Sequence, residues 1–302
     1  MEKGSEKIHK SVLVEETVEV FGLNAPLKKQ VHIVDATLGT GGHSLALLQK
    51  GAKVTGIDLD SKMIEIAQER FLDEKIPSSK YQLIQGNFCN LEKIIKDHGI
   101  SEIDGILLDL GVSNLHLKDT QRGFSFGSPE APLDMRLDES GQGVKASDLL
   151  NVLRKDQLMD LFLKIMIYPE AVRLVREIIL KREKAPFEKV GDFLVACRVV
   201  RSKNSLSQAT LPFLALRIAV NSELENLSQV LPQALNVLKK GAKMAVITFH
   251  SKEEEVVVSY FRKIEDENLA RFLTQKPIMP GTPEIEDNPR ARSAKLWVIE
   301  KI

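Results

Sequence analysis

Hydrophobic positions along the first 110 residues follow two alternating regimes. Short β-branched and apolar runs at Val31–Ala36, Lys53–Asp58, Tyr81–Gln85 and Gly105–Leu110 have the length and composition of buried strands. Between them, apolar residues recur at helical spacing near Gly42–Lys50, Ser61–Asp73 and Leu91–Asp97. Parallel neighbours need a crossover connection, so this alternation predicts βαβ units stacked around a parallel sheet. Ser61 is expected to cap the second helix, its hydroxyl accepting from a first-turn amide.

The alternation stops after Leu110. Gly111 to Gly143 is rich in glycine, proline and polar residues and predicts a long loop of the kind that is usually functional or mobile. From Ala146 to about Ala219 the period is helical throughout. The α/β pattern then resumes with a helix near Ser222–Lys239, a strand Lys243–Phe249 and a helix near Lys252–Ile264. A last strand pair, Ala270–Leu273 and Lys295–Glu300, flanks a loop holding Pro277, Pro280, Pro283 and Pro289. Five strands, a helix and a terminal strand pair predict an α/β fold, a Rossmann-like sheet of methyltransferase type closed by an antiparallel hairpin and interrupted by an inserted all-α domain. The expected division is 1–115 with 220–302 for the sheet domain and 116–219 for the insertion.

Composition narrows the function. The 302 residues carry 42 basic and 42 acidic side chains, which excludes polyanion binding by bulk charge. Any basic surface is local, and Arg173 to Lys203 supplies one candidate, with nine basic residues against four acidic. A hydrophobic fraction of 43% excludes intrinsic disorder. Runs such as Gly105–Leu108 and Met244–Phe249 fall far short of the roughly 18 residues of a membrane helix. The charged segment Met1 to Lys10 does not read as a secretory signal. Cys89 and Cys197 form neither a disulfide framework nor a metal site, so both are expected to be buried in a protein of the reducing cytoplasm.

The candidate chemistry lies at the carboxyl ends of the predicted strands, where open α/β sheets bind ligands. Asp35-Ala36-Thr37-Leu38-Gly39-Thr40-Gly41-Gly42-His43-Ser44 follows the first strand and opens a helix; the dinucleotide fingerprint would need a third glycine where Ser44 stands. Asp58 ends the second strand, placed to accept from ribose hydroxyls, with Asp60 as a competitor for that role. Phe88 follows the third strand and suits an adenine or the core. Asp109 ends an otherwise apolar fourth strand, with Ser113 and Asn114 as nearby polar partners and Asp134 further on. His250 ends the fifth strand and faces either the same cleft or a structural partner. These features alone leave S-adenosylmethionine-dependent methyl transfer and nicotinamide-dependent hydride transfer both open.

Longer motifs decide between them. His9 with Ser11-Val12-Leu13, DATLGTGGHS, the run Gly105 to Ser113, Arg122-Gly123-Phe124-Ser125-Phe126 and Pro132-Leu133-Asp134-Met135-Arg136 occur in that order. Leu216 to Leu224, Phe249-His250-Ser251 and Asn288 to Ser293 complete the set. Together they resemble the RsmH (MraW) family of bacterial methyltransferases over nearly the whole chain. The resemblance implies S-adenosylmethionine as cofactor and, as substrate, the exocyclic N4 amine of a decoding-region cytidine of 16S ribosomal RNA, met as RNA or as small ribosomal subunit. It further implies cofactor contacts at Gly41, Gly42, His43, Asp58, Phe88 and Asp109. The family's next contact, usually a glutamine, aligns with His116, which can still donate a hydrogen bond. Departures from the family pattern cluster in the insertion, at Ser207, Leu211, Leu214 and Tyr168 to Ala171.

A cytosine amine is a poor nucleophile because its lone pair is delocalised into the ring. An acceptor aimed at its hydrogens is therefore needed, and Asp109 with Ser113 and Asn114 is the expected catalytic set. Two rivals remain: an RNA-binding assembly factor that keeps the fold without turnover, and a nicotinamide-dependent oxidoreductase, which shares the first βαβ unit but would need the third glycine.

Overall fold

The computed structural model describes residues 11–201 and 207–302, so His9 and Lys203 lie outside the described residues. Its contacts divide the chain into two compact units, Met1–Gly111 with Leu224–Ile302 and Val112–Glu223.

The first unit begins with α1 (Val14–Val20), which the hydrophobic pattern did not reveal, and continues through β1 (His32–Asp35), α2 (Gly42–Gln49), β2 (Lys53–Asp58), α3 (Ser61–Asp73), β3 (Tyr81–Gln85), α4 (Leu91–Asp97) and β4 (Ile103–Asp109). The second unit holds α5 (Asn114–Lys118), α6 (Ala146–Val152), α7 (Lys155–Leu163), α8 (Tyr168–Arg182), α9 (Val190–Cys197) and α10 (Thr210–Asn221). The chain re-enters the first unit along α11 (Glu223–Val237), followed by β5 (Leu238–Thr248), α12 (Ser251–Asp266), β6 (Ala270–Phe272), α13 (Thr282–Asp287) and β7 (Lys295–Lys301).

All seven strands form one sheet in the order β3-β2-β1-β4-β5-β7-β6. The first five pair in parallel, and β7 runs antiparallel between β5 and β6. Strand order reverses between β1 and β4, the switch point at which α/β sheets open a crevice beyond their carboxyl ends. Successive side chains of a strand point to opposite faces, and the core divides accordingly. Val34, Ile106 and Leu108 pack with Leu91, Leu231, Val257 and Phe261. Ile33 and Leu107 pack on the other face with Val18, Leu47, Ala67 and Phe71.

Two expectations are corrected. Ser61 does not cap α3: Asp60 does, its Oδ1 accepting from the Lys62 amide at 3.0 Å, because Asp60 is the last extended residue before the helix. The fifth strand starts at Leu238, not at Lys243, and its charged entry obscures it in sequence. Lys239 there is held by Glu102 at 3.1 Å and Asp104 at 2.9 Å, so a polar strand entry has partners at the amino-terminal edge of the sheet.

In the second unit, rings of Phe162, Phe187, Phe193 and Phe213 pack together with centroids 5.2–6.3 Å apart. The segment expected to be a plain loop is tied by buried polar groups. The Arg122 guanidinium donates to the carbonyls of Arg136 (2.8 Å) and Leu137 (2.7 Å), and Asn221 Nδ2 donates to the Met135 carbonyl at 2.9 Å.

Gly105 sets the packing beneath the carboxyl end of β4. A Cβ there would lie 2.4 Å from the Phe21 ring and 2.7 Å from Ile33 Cδ1. Gly105→Ala is expected to lower stability by roughly 1–3 kcal/mol, the cost of overpacking a filled core. A urea midpoint unchanged from the parent protein would contradict this.

Candidate active site

Strand register puts three carboxylates at one edge of the sheet. Asp35 of β1 pairs with Gly56 of β2 and Leu107 of β4. Asp58 and Asp109 therefore each stand two residues beyond the Asp35 level, on the strands to either side.

These carboxylates shape the loop that follows β1. Asp58 Oδ2 accepts from the Gly39 amide at 2.7 Å, and its Oδ1 accepts from the Asp60 amide at 2.9 Å. Asp35 accepts from the Thr37 amide at 3.2 Å and from the Ser44 hydroxyl at 2.6 Å. Thr37 Oγ1 in turn accepts from the Asp109 amide at 2.6 Å. Ser44, which stands where a dinucleotide fingerprint would have glycine, is thus the partner of a buried acid. Gly41 and Gly42 make room for the protein's own side chains. A Cβ on Gly41 (φ 74°) would meet the Phe71 ring at 2.8 Å, and one on Gly42 would meet Ser11 Oγ at 2.0 Å.

His43 lies in the first turn of α2 and is 4% exposed. Its Nε2 is 2.8 Å from the Val12 carbonyl, and since a carbonyl only accepts, Nε2 carries the proton. Its Nδ1 is 3.5 Å from Asp109 Oδ2. The other Asp109 oxygen, Oδ1, is sealed from water and has no hydrogen-bond partner. Phe88, half-buried after β3, packs against the core on the α4 face.

The electrostatics are one-sided. Burial raises Asp109 well above the usual carboxylate range, and the charges of Asp35 and Glu253 push the same way. Burial also raises Asp35, to about 6, against the hydrogen bonds from Ser44 and Thr37 and with help from Asp58. Glu253, 2% exposed in α12, went unnoticed in the sequence. Its signal is the spacing His250-Ser251-Lys252-Glu253, a capping box in which His250 Nδ1 accepts from the Glu253 amide and Glu253 Oε2 accepts from the amides of Phe249 and His250. His250 thus caps α12 through Nδ1, while its Nε2 lies 3.2 Å from Glu253 Oε1.

Ser113, Asn114 and His116 belong to the second unit. Ser113 caps α5 and accepts from the Leu115 amide at 3.2 Å, and Asn114 is the first residue of that helix. His116 Nδ1 accepts from the Ser113 amide at 3.2 Å, so any further hydrogen bond of this buried ring runs through Nε2–H. Asp134 is engaged by the Arg136 guanidinium at 2.7 and 2.8 Å; burial opposes its charge, but Arg136 holds its carboxyl below the usual range. Much of the basic run is also paired: Arg173 with Glu170, Lys181 with Glu177 at 3.3 Å and Lys189 with Glu130 at 2.8 Å. Arg182 donates to the carbonyls of Leu150 and Leu153.

The model of the MraW methylase family matches residues 6–302. The chain belongs to that family. Curated relatives named ribosomal RNA small subunit methyltransferase H agree along almost their whole length. The protein of Methylacidiphilum infernorum is 41% identical over 288 residues, covering 91% of this chain and 90% of the relative. That of Dictyoglomus thermophilum is 38% identical over 299 residues, covering 98% and 97%. That of Coprothermobacter proteolyticus is 36% identical over 296 residues, covering 97% and 96%. Among the described residues, no helix is long and apolar enough to cross a membrane.

Asp35 gives a pH test of the site's charge. Its ordinary value is 3.8 and its folded value about 6, so between these the folded state binds the proton more tightly and the stability it contributes falls as pH rises. Above about pH 6 the buried charge costs on the order of 2–3 kcal/mol, at about 1.4 kcal/mol per unit. Asp35→Asn keeps an acceptor for the Thr37 amide and a polar partner for Ser44. Its melting temperature is expected to exceed the parent's near pH 7.5, with the gain shrinking near pH 5. An equal loss of stability at both pH values would contradict a charge penalty.

Proposed function

We propose that this protein transfers a methyl group from S-adenosylmethionine to the exocyclic N4 amine of a decoding-region cytidine in 16S ribosomal RNA. The observation that carries the reading is the match of residues 6–302 to the MraW methylase family, in a chain whose central strand β4 ends on the carboxylate of Asp109.

The residues fit the cofactor's chemistry. A pyrophosphate would meet the charge of Asp58 and, above about pH 6, that of Asp35, whereas a sulfonium is favoured by them. When bound, S-adenosylmethionine supplies an activated methyl group. Asp58, whose carboxylate accepts from the Gly39 and Asp60 amides, would also accept from ribose hydroxyls. Phe88 offers a ring to adenine. Gly42 and His43 would contribute first-turn amides of α2, and Gly41, whose own amide donates to the Leu38 carbonyl at 2.9 Å, the left-handed turn before them. His116 would contribute through Nε2–H. Asp109 would accept from the cytosine amine and orient it, with Ser113 and Asn114 as further polar groups. The helical unit would recognise RNA through basic side chains outside the ion pairs described above, such as Arg198.

Asp58→Ala is expected to weaken S-adenosylmethionine binding by about 1.5–3 kcal/mol, the scale of a charge-assisted hydrogen bond. Unchanged calorimetric affinity in a folded variant would remove Asp58 from the cofactor site. Asp109→Ala is expected to slow methyl transfer to small subunits at least ~100-fold in single turnovers with saturating cofactor. Near-parental rates would leave Asp109 as a strand-end residue only.

A further inference from the structure

The proposed cofactor contact at His43 uses its backbone and leaves the purpose of its imidazole unexplained. The ring is buried, Nε2–H is committed to the Val12 carbonyl, and Nδ1 faces Asp109 Oδ2 at 3.5 Å. With no proton between them, a nitrogen lone pair and a carboxylate would oppose each other in a site already made negative by Asp35 and Glu253. A proton on either atom relieves that opposition.

We propose that His43 and Asp109 share one resident proton between Nδ1 and Oδ2, and that this pair takes up the proton the substrate amine must release. The inference rests on the catalytic reading of Asp109 given above. For each N–C bond formed at the amine, one N–H bond breaks and its electron pair stays on nitrogen. The released proton passes to the Asp109 carboxylate while the resident proton sits on His43 Nδ1. The electrons of the broken S–C bond stay on sulfur, so the positive charge lost there reappears on the pair. Two carboxylates act on this charge from neighbouring elements, Asp35 on β1, itself under the field of Asp58 on β2, and Glu253 on α12. That field stabilises the second proton until product leaves. The raised affinity of Asp109 for protons, due to burial first and to these carboxylates second, agrees with this arrangement. His43 is thus a positioning residue that acts through Asp109.

Two measurements test the pair. The first uses the cofactor-free protein with isotope-labelled histidine and aspartate, followed by nuclear magnetic resonance across pH. His43 Nδ1 and the Asp109 carboxyl carbon should titrate in one common step, and in Asp109→Asn the Nδ1 step should move by more than about one pH unit. An Nδ1 step at the same pH in both proteins would overturn the proposal. The second uses His43→Gln, whose amide retains a donor for the Val12 carbonyl but lacks Nδ1. It is expected to bind S-adenosylmethionine within about threefold of the parent, to slow single-turnover transfer about tenfold or more, and to shift the acid limb of the pH–rate profile. Parental rate and profile would overturn the proposal. If the parent protein itself fails to bind S-adenosylmethionine, the functional reading falls, while the resonance titration still decides whether the proton is shared. If His43→Gln does not fold, the titration decides alone.

Discussion

Desolvating several carboxylates side by side is the constraint from which the rest of this site follows. Asp35, Asp58 and Asp109 end three neighbouring strands; burial raises the proton affinity of Asp35 and Asp109, and the charge of Asp58 adds to it at Asp35 and that of Asp35 at Asp109. The chain offsets part of the cost with short bonds from Ser44, Thr37, Gly39 and Asp60. Those bonds fix the path of the loop between β1 and α2. The loop is therefore not a generic phosphate cradle placed on a sheet. Its shape is the one that brings donors to buried acids, and the negative field left over is what a cationic ligand meets. A site built for pyrophosphate would need the opposite sign.

The sheet was legible in the sequence because its central strands are buried on both faces and read as continuous apolar runs, as in β4. Asp58 and Asp109 stood out for the same reason: each is an ionisable residue closing such a run. What could not be read depends on contacts between distant segments. The Val12 carbonyl fixes the His43 tautomer across 31 residues, and nothing local to either residue announces it. The entry of β5 was hidden by lysines whose partners, Glu102 and Asp104, come from the start of another strand. The cap of α3 was misassigned by one position because serine and aspartate adjoin and only backbone conformation separates them.

Charge counts were similarly incomplete. An excess of basic residues between Arg173 and Lys203 is visible in the sequence, but the pairing of Arg173, Lys181 and Lys189 with acids is not. Exposed ion pairs of this kind contribute little to stability, yet they lower the charge available to a phosphate backbone. The segment after Leu110 looked structureless because glycine and proline dominate it, whereas its order comes from Arg122 and Asn221 hydrogen-bonding to its carbonyls. Buried polar groups that hydrogen-bond to loop carbonyls can specify a loop as firmly as an apolar core specifies a helix.

The most direct test of the account is the position of the methyl group. Small ribosomal subunits from cells lacking this gene would be incubated with the purified protein and isotopically labelled S-adenosylmethionine, and the ribosomal RNA digested and read by mass spectrometry. The account predicts one labelled methyl on the N4 amine of a decoding-region cytidine, absent when the protein is omitted. Label on another nucleotide, or no incorporation despite cofactor binding, would contradict it.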